Sequence, residues 1–148
     1  MKTKLIKIKS VSNIEQWILF RTAGSAWLDT LNLIENKKND IVWAIFYVKP
    51  WIVSFCLELF IKSIAAYEDK SFRSKKYSHN VTRILLDYKD SIPIFKEITN
   101  DKELFDIISE YEKTIDTKFG ETGGELYGDE QDRLVNLINE LSNEIYKK

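Results

Sequence analysis

Between Trp51 and Glu68 the chain is apolar on nearly every face a helix possesses. Ile52, Phe55, Cys56, Leu59, Ser63 and Ala66 form one stripe at helical spacing, and Val53, Leu57, Phe60, Ile61 and Ile64 fill a second. Such a helix cannot lie on a surface and has to be surrounded by other elements. Its exceptions are Glu58 and Lys62, four residues apart in the favoured Glu-to-Lys order, so they share a face and can pair. The wider stretch Ile41 to Ala66 is long enough for a membrane span, but Lys49, Pro50, Glu58 and Lys62 interrupt it. Charges inside a span are costly, so a buried central helix is expected and no membrane partner.

What surrounds that helix is also helical, by composition. The 148 residues contain 5 Gly and 2 Pro, far below the roughly 12% average and too little punctuation for a many-turned β-sandwich or barrel. With 44% hydrophobic and 30% charged residues the chain is globular, and its length fits one domain, residues 1–148 with a core from about 13 to 146. The single Cys56 excludes a disulfide framework and a cysteine zinc site, which points to a reducing cytoplasm. The start, MKTKLIKIKS, is basic but lacks the apolar core of a signal peptide.

Helix starts and stripes then divide the chain. A first helix opens at Ser12 or Asn13 and runs to about Asn36, with Ile14, Trp17, Ile18, Leu28 and Leu31 on one face and Gly24, Ser25 and Ala26 allowing a close neighbour. Ile41 to Val48 is apolar and aromatic, and Pro50 either breaks a helix or begins the next. After the central helix, Asp69 to Tyr77 reads as a basic loop and Ser78 as the N-cap of a short helix carrying Val81, Ile84, Leu85 and Tyr88. Ser91-Ile-Pro93 marks a boundary, and Asn100 with Glu103 resembles a capping box before Leu104, Ile107, Ile108, Tyr111 and Ile115. A last helix after Gly128 carries Leu134, Leu137, Ile138, Leu141 and Ile145. The expected fold is all-α, an antiparallel bundle of about five helices.

Charge is unevenly placed. Residues 1–90 hold 15 Lys and Arg against 9 Asp and Glu, whereas 91–148 hold 7 against 14. The split suits either a basic face for an anionic partner or mutual attraction between the two parts of one fold or of a dimer.

Few constellations can carry chemistry. The glycine-rich segment Phe119 to Gly128 carries Glu121, Glu125, Asp129 and Glu130 but no Walker lysine and no preceding strand, so both phosphate-loop fingerprints fail and EF-hand spacing is missing. No metal or other cofactor is expected. The chain has 1 His, which removes mechanisms needing two. Cys56, inside an apolar helix, reads as packing. What remains is Arg73-Ser-Lys-Lys-Tyr-Ser-His79. Histidine moves protons near neutral pH and arginine holds a phosphate through two parallel hydrogen bonds. Together they suit RNA cleavage, in which the 2′-OH is the nucleophile and no metal is required.

Three elements together resemble the HEPN superfamily, the higher eukaryote and prokaryote nucleotide-binding domains. Ser54-Phe-Cys-Leu-Glu58-Leu-Phe-Ile-Lys62-Ser-Ile is similar to its A-x-E-x-x-L-K-A helix, Tyr77-Ser-His79-Asn-Val-Thr-Arg-Ile-Leu-Leu86 to its T-H-D-L-x-x-L-L element, and Tyr111 to Gly120, ending Lys118-Phe-Gly, to its aromatic turn before the last helix. The resemblance implies a helical bundle, frequent dimerisation, and roles in RNA or nucleotide binding, toxin–antitoxin pairs and phage defence. Some members are metal-independent ribonucleases with an R-x(4–6)-H motif, which Arg73 and His79 match formally. Here Ser74 follows Arg73 where those nucleases carry a polar residue such as Asn, and His79 aligns better with the T-H-D-L element of members that accompany nucleotidyltransferases, with Asn80 in place of its Asp.

The expected function is a HEPN-like module binding nucleotide, RNA or a partner protein such as a nucleotidyltransferase or an antitoxin. Glu58, Lys62, Lys75, Lys76, Asn80 and Arg83 are the candidate binding residues. The alternatives are a metal-independent endoribonuclease with His79 moving the proton and Arg73 holding the scissile phosphate, and a purely structural dimerisation module. Each residue also has a plainer use: Glu58 and Lys62 as an interior pair fixing helix register, His79 as a cap or as packing against that pair. The four tryptophans, all between residues 17 and 51, suit core or dimer interface better than base stacking. Their surplus aromatic surface predicts a symmetric homodimer using the first two helices, with the Arg73–His79 segments of both copies near a shared groove.

Overall fold

In a computed structural model the described residues are 15–36, 48–116 and 128–148, with side chains left aside at 114–116. The basic start, the apolar residues 41–47 and most of the glycine-rich segment lie outside them, as do the expectations placed there. Seven helices and no strand occur among the described residues: α1 (Gln16–Asn36), α2 (Lys49–Glu68), α3 (Ser74–Tyr77), α4 (Val81–Tyr88), α5 (Pro93–Asn100), α6 (Lys102–Asp116) and α7 (Gly128–Tyr146).

Helix α2 is the centre. It packs most extensively on α1, then on α7, and also touches α4 and α6. Both of its apolar stripes are covered: Ile52, Val53, Cys56, Leu57, Phe60, Ile61, Ile64, Ala65 and Ala66 are buried. By length and apolarity it could cross a membrane, but most of it is enclosed by its neighbours, as a helix apolar all round demands. Pro50 stands in its first turn, where the missing N–H breaks no bond.

The partners of α2 bury the stripes their spacing implies. Leu134, Leu137, Ile138, Leu141 and Ile145 of α7 are all buried, as are Ile107, Ile108 and Tyr111 of α6. On α1, Gly24 is where α2 approaches closely: a Cβ there would stand 3.2 Å from the Phe60 ring. Trp17 meets Tyr67 edge-on with centroids 5.1 Å apart, while Trp27 and Trp51 lie against Phe55.

Two short helices correct the expected count of about five. Asp69 to Tyr77 is not simply a loop, because Asp69 organises it. The Asp69 carboxylate accepts from the Ser71 N–H (2.8 Å) and hydroxyl (2.6 Å) and from the Tyr88 hydroxyl (2.7 Å), and Ser74–Tyr77 then makes one helical turn, α3. Phe72 stacks on Tyr77 at 5.5 Å and meets Tyr88 edge-on at 6.0 Å, which closes the segment over an aromatic cluster. The second addition, α5, begins at Pro93, at the boundary expected there, as a helix of its own.

Two caps also differ from expectation. Ser78 does not cap α4. Its backbone takes φ 51°, and Asn80 accepts from the Arg83 N–H at 3.0 Å, the reach an N-cap requires. Asn100 is still in α5, so the α6 cap falls to Asp101, which accepts from the Leu104 N–H at 3.1 Å.

Candidate functional site

Two charged side chains are buried in the middle of α2. Glu58 and Lys62 are each 5% exposed, and Lys62 Nζ donates to Glu58 Oε1 at 2.5 Å. An isolated buried charge is prohibitive, and even a pair gains little unless its remaining valences are met. They are met from the segment between α3 and α4. Lys62 Nζ also donates to the Ser78 carbonyl oxygen at 2.6 Å, and His79 Nδ1 lies 3.0 and 3.2 Å from the two Glu58 oxygens.

This places His79 at the surface over a charged interior. Its side chain is 55% exposed, whereas that of Glu58 is 6% exposed. A carboxylate only accepts, so Nδ1 is the donor, and the neutral ring therefore carries its lone pair on the other nitrogen, Nε2. Positive φ at Ser78 is uncommon for a side chain other than glycine and costs on the order of 1–3 kcal/mol. The conformation turns the carbonyl towards Lys62 and is enclosed by the bonds from Ser78 N–H to Ser74 O (3.1 Å) and from Asn80 N–H to Tyr77 O (2.8 Å).

The α3–α4 segment that carries His79 is rich in cations, one of which, Arg83, lies 4.0 Å from the Asp87 carboxylate. Arg73, Lys75, Lys76 and Arg83 are exposed. Lys76 Nζ lies 5.1 Å and Arg83 Cζ 5.7 Å from the Tyr77 ring centroid, so one buried ring seats two cations. Tyr77 itself donates to Asp87 at 3.0 Å. Arg73 is held elsewhere: its Nη1 donates to the carbonyls of Phe72 (3.1 Å) and Ser71 (3.2 Å). Beside it, Asp69 is kept below the usual carboxylate range, chiefly by the Ser71 hydroxyl, with smaller help from the Arg73 charge. Burial, reinforced by Asp69, pushes the Tyr88 phenol up.

Of the residues expected from the sequence, Glu58, Lys62 and His79 are thus in one bonded cluster. Asn80 is the cap of α4, and Lys75, Lys76 and Arg83 are exposed on the same α3–α4 segment without a bond to the cluster among the described contacts. Arg73 and His79 have different partners. Cys56 is buried packing whose thiol burial pushes up to about 12. Among the described residues no group of three or more His, Cys, Asp and Glu could hold a metal ion.

The Ser78 carbonyl and the Tyr77 platform escape sequence reasoning, because one is a backbone group and the other depends on Phe72, Tyr77 and Tyr88 meeting across three elements. A third such feature is Glu112 of α6, which accepts from the Thr82 N–H at 2.9 Å and secures the start of α4. No protein-family model, curated protein or solved structure matches the chain.

Proposed function

We propose that this chain is a HEPN-like helical module that binds a nucleotide or single-stranded RNA on the α3–α4 surface, within a toxin–antitoxin or phage-defence pair whose other member is a nucleotidyltransferase or an antitoxin. The observation that carries the reading is the half-exposed His79 ring, fixed from below by the buried Glu58–Lys62 pair on a segment that also exposes Lys75, Lys76 and Arg83. Cations on a short segment suit a phosphate chain, and an imidazole held at one nitrogen offers the other to a ribose hydroxyl or a phosphate oxygen. The order of the E-x-x-x-K and S-H-N elements along the chain supports the same family reading.

The test is binding of a labelled RNA oligonucleotide and of ATP, followed by fluorescence anisotropy across a salt series. Each cation that neutralises a phosphate on a single strand contributes a slope of about −0.7, so the three cations weaken RNA binding about 18-fold between 50 and 200 mM salt. Binding that is absent, or indifferent to both salt and a Lys75→Glu, Lys76→Glu, Arg83→Glu variant, removes the reading.

A second reading, a metal-independent endoribonuclease, is favoured by one observation: Nδ1 of His79 rests on a carboxylate, which leaves Nε2 as the base for a 2′-OH. Arg73, bonded to Ser71 and Phe72, would have to be released to reach a phosphate. Growth arrest on expression, relieved by His79→Ala, supports catalysis; RNA left intact by excess protein in EDTA excludes it.

A further inference from the structure

We propose that Arg21 of α1 and Tyr146 of α7 form a second contact site for single-stranded RNA, in which the guanidinium takes one backbone phosphate and the Tyr146 ring the neighbouring base. The site rests on the RNA binding proposed for the α3–α4 surface and lies on a face that α1 and α7 build. Arg21 Cζ is 5.1 Å from the Trp17 ring centroid and 4.8 Å from that of Tyr146, so two rings hold the guanidinium. Its Nε is buried without a hydrogen-bond partner, and among the described residues no carboxylate pairs with it. The residue as a whole is partly exposed, so the two Nη atoms form its open edge.

The frame around that edge is fixed. Ser25, one turn on from Arg21, gives its proton to the Arg21 carbonyl at 2.9 Å, so the Tyr146 hydroxyl is the donor in the 2.6 Å contact between Tyr146 and Ser25. This bond pins the Tyr146 ring against α1, yet the residue stays 55% exposed and keeps aromatic surface in solvent. The charges nearby are matched. Glu15 takes Lys70 at 2.7 Å, Glu68 takes Lys148 at 3.0 Å, and Glu144 lies 3.7 Å from Lys148 and 4.0 Å from Lys147. Arg21 is the cation left over, and a guanidinium grips an oxyanion through two parallel hydrogen bonds. The other donors beside it are spent, Ser25 and Tyr146 as described and the Trp17 indole N–H on Glu15. One fork with no second donor suits a single negative charge, that of a phosphodiester, and not a triphosphate.

A protein carboxylate has the same charge, but two observations favour RNA. The first is the exposed ring itself, since single strands bind where cations track the backbone beside aromatic faces that take the bases. The second is the continuation towards α3. Trp17 meets Tyr67 edge-on, Lys70 Nζ lies 5.5 Å from the Tyr67 centroid, and Lys70, with a side chain 67% exposed, stands at the start of the segment that leads to Arg73 and α3. Its exposed pairing with Glu15 yields at little cost. A strand can therefore run from Tyr146 past the C-terminal end of α2 towards His79, since Tyr67 and Glu58 are about 14 Å apart along that helix.

The readout is the Arg21 Nε–H resonance of the isotope-labelled full chain, shielded from exchange by its burial and assigned by its loss in Arg21→Gln. Single-stranded RNA of about 12 nucleotides should move it saturably, whereas inorganic phosphate or a glutamate-rich peptide at the same concentration should not. In anisotropy, Arg21→Gln should reduce the steepness of the salt dependence by about 0.7, the share of one phosphate beyond those at Lys75, Lys76 and Arg83. Tyr146→Leu, which keeps apolar bulk beside Arg21 without a ring, should weaken RNA binding about 5-fold or more. Both variants should keep the helical circular dichroism spectrum of the parent. RNA that binds in dependence on Lys75, Lys76 and Arg83 but leaves the Arg21 signal fixed overturns this site alone, while a parent chain that binds no RNA overturns it together with the RNA reading. A signal that follows the peptide or inorganic phosphate as closely as RNA overturns the assigned occupant.

Discussion

The Lys62 ammonium donates to the Ser78 backbone carbonyl at 2.6 Å, so a charge in the middle of the central helix holds the turn that presents His79. The same ammonium neutralises Glu58, which in turn receives His79. Removing one member therefore disturbs all three.

Lys62→Met leaves Glu58 buried with the half-exposed His79 as its remaining partner, and breaking a buried pair in this way costs up to about 3–5 kcal/mol. The double variant Glu58→Met, Lys62→Met removes both charges and should recover most of that loss. Denaturant unfolding of the two variants checks this, and equal stabilities would show that the pair is not held as described.

Ser78 pays backbone strain for its position at φ 51°. Ser78→Gly keeps the carbonyl and relieves the strain, so stability should stay within about 1 kcal/mol of the parent or rise, whereas Ser78→Val, β-branched at positive φ, loses about 1–3 kcal/mol. Thermal unfolding of both variants discriminates; an unharmed valine variant would contradict the conformation.

Gly24 lies 3.2 Å, at its missing Cβ, from a Phe60 ring that is fully buried and cannot swing away. Gly24→Val therefore overpacks the α1–α2 contact and should cost about 1–3 kcal/mol, even though glycine is a poor residue for a helix interior. A stabilised variant would mean that the two helices separate more easily than their contact implies.

Much of this architecture is legible in the sequence because it depends on local periodicity. All-round apolarity from Ile52 to Ala66 makes α2 central, the i,i+4 spacing places Glu58 beside Lys62, and the stripe from Leu134 to Ile145 is buried as spaced. What escapes is what depends on distant groups or on non-glycine backbone. Ser and Asn are both good caps, and the choice of Asn80 over Ser78 follows from Lys62 taking the Ser78 carbonyl. Likewise the turn at Ser74–Tyr77 needs Asp69 and Tyr88, neither of which advertises it in the local pattern.

Acid should loosen that same segment. Asp69 is held below its ordinary value by Ser71 and Tyr88 hydrogen bonds, so the carboxylate's contribution is present above the unfolded value of about 3.9 and is lost as pH falls through the lower folded value. Unfolding midpoints measured down the acid limb should fall less steeply in Asp69→Asn than in the parent. Parallel profiles would contradict the role given to Asp69.

The most direct measurement uses the fact that the chain contains 1 His. In untagged protein the His79 ring gives a single set of imidazole resonances, which can be followed by heteronuclear NMR while single-stranded RNA or ATP is added. Binding on the α3–α4 surface should move the signals next to Nε2, saturably and less at high salt, and the Lys75→Glu, Lys76→Glu, Arg83→Glu variant should suppress the movement. Imidazole signals that stay fixed at ligand concentrations where anisotropy reports a saturated complex would place the ligand elsewhere and contradict the assignment of this site.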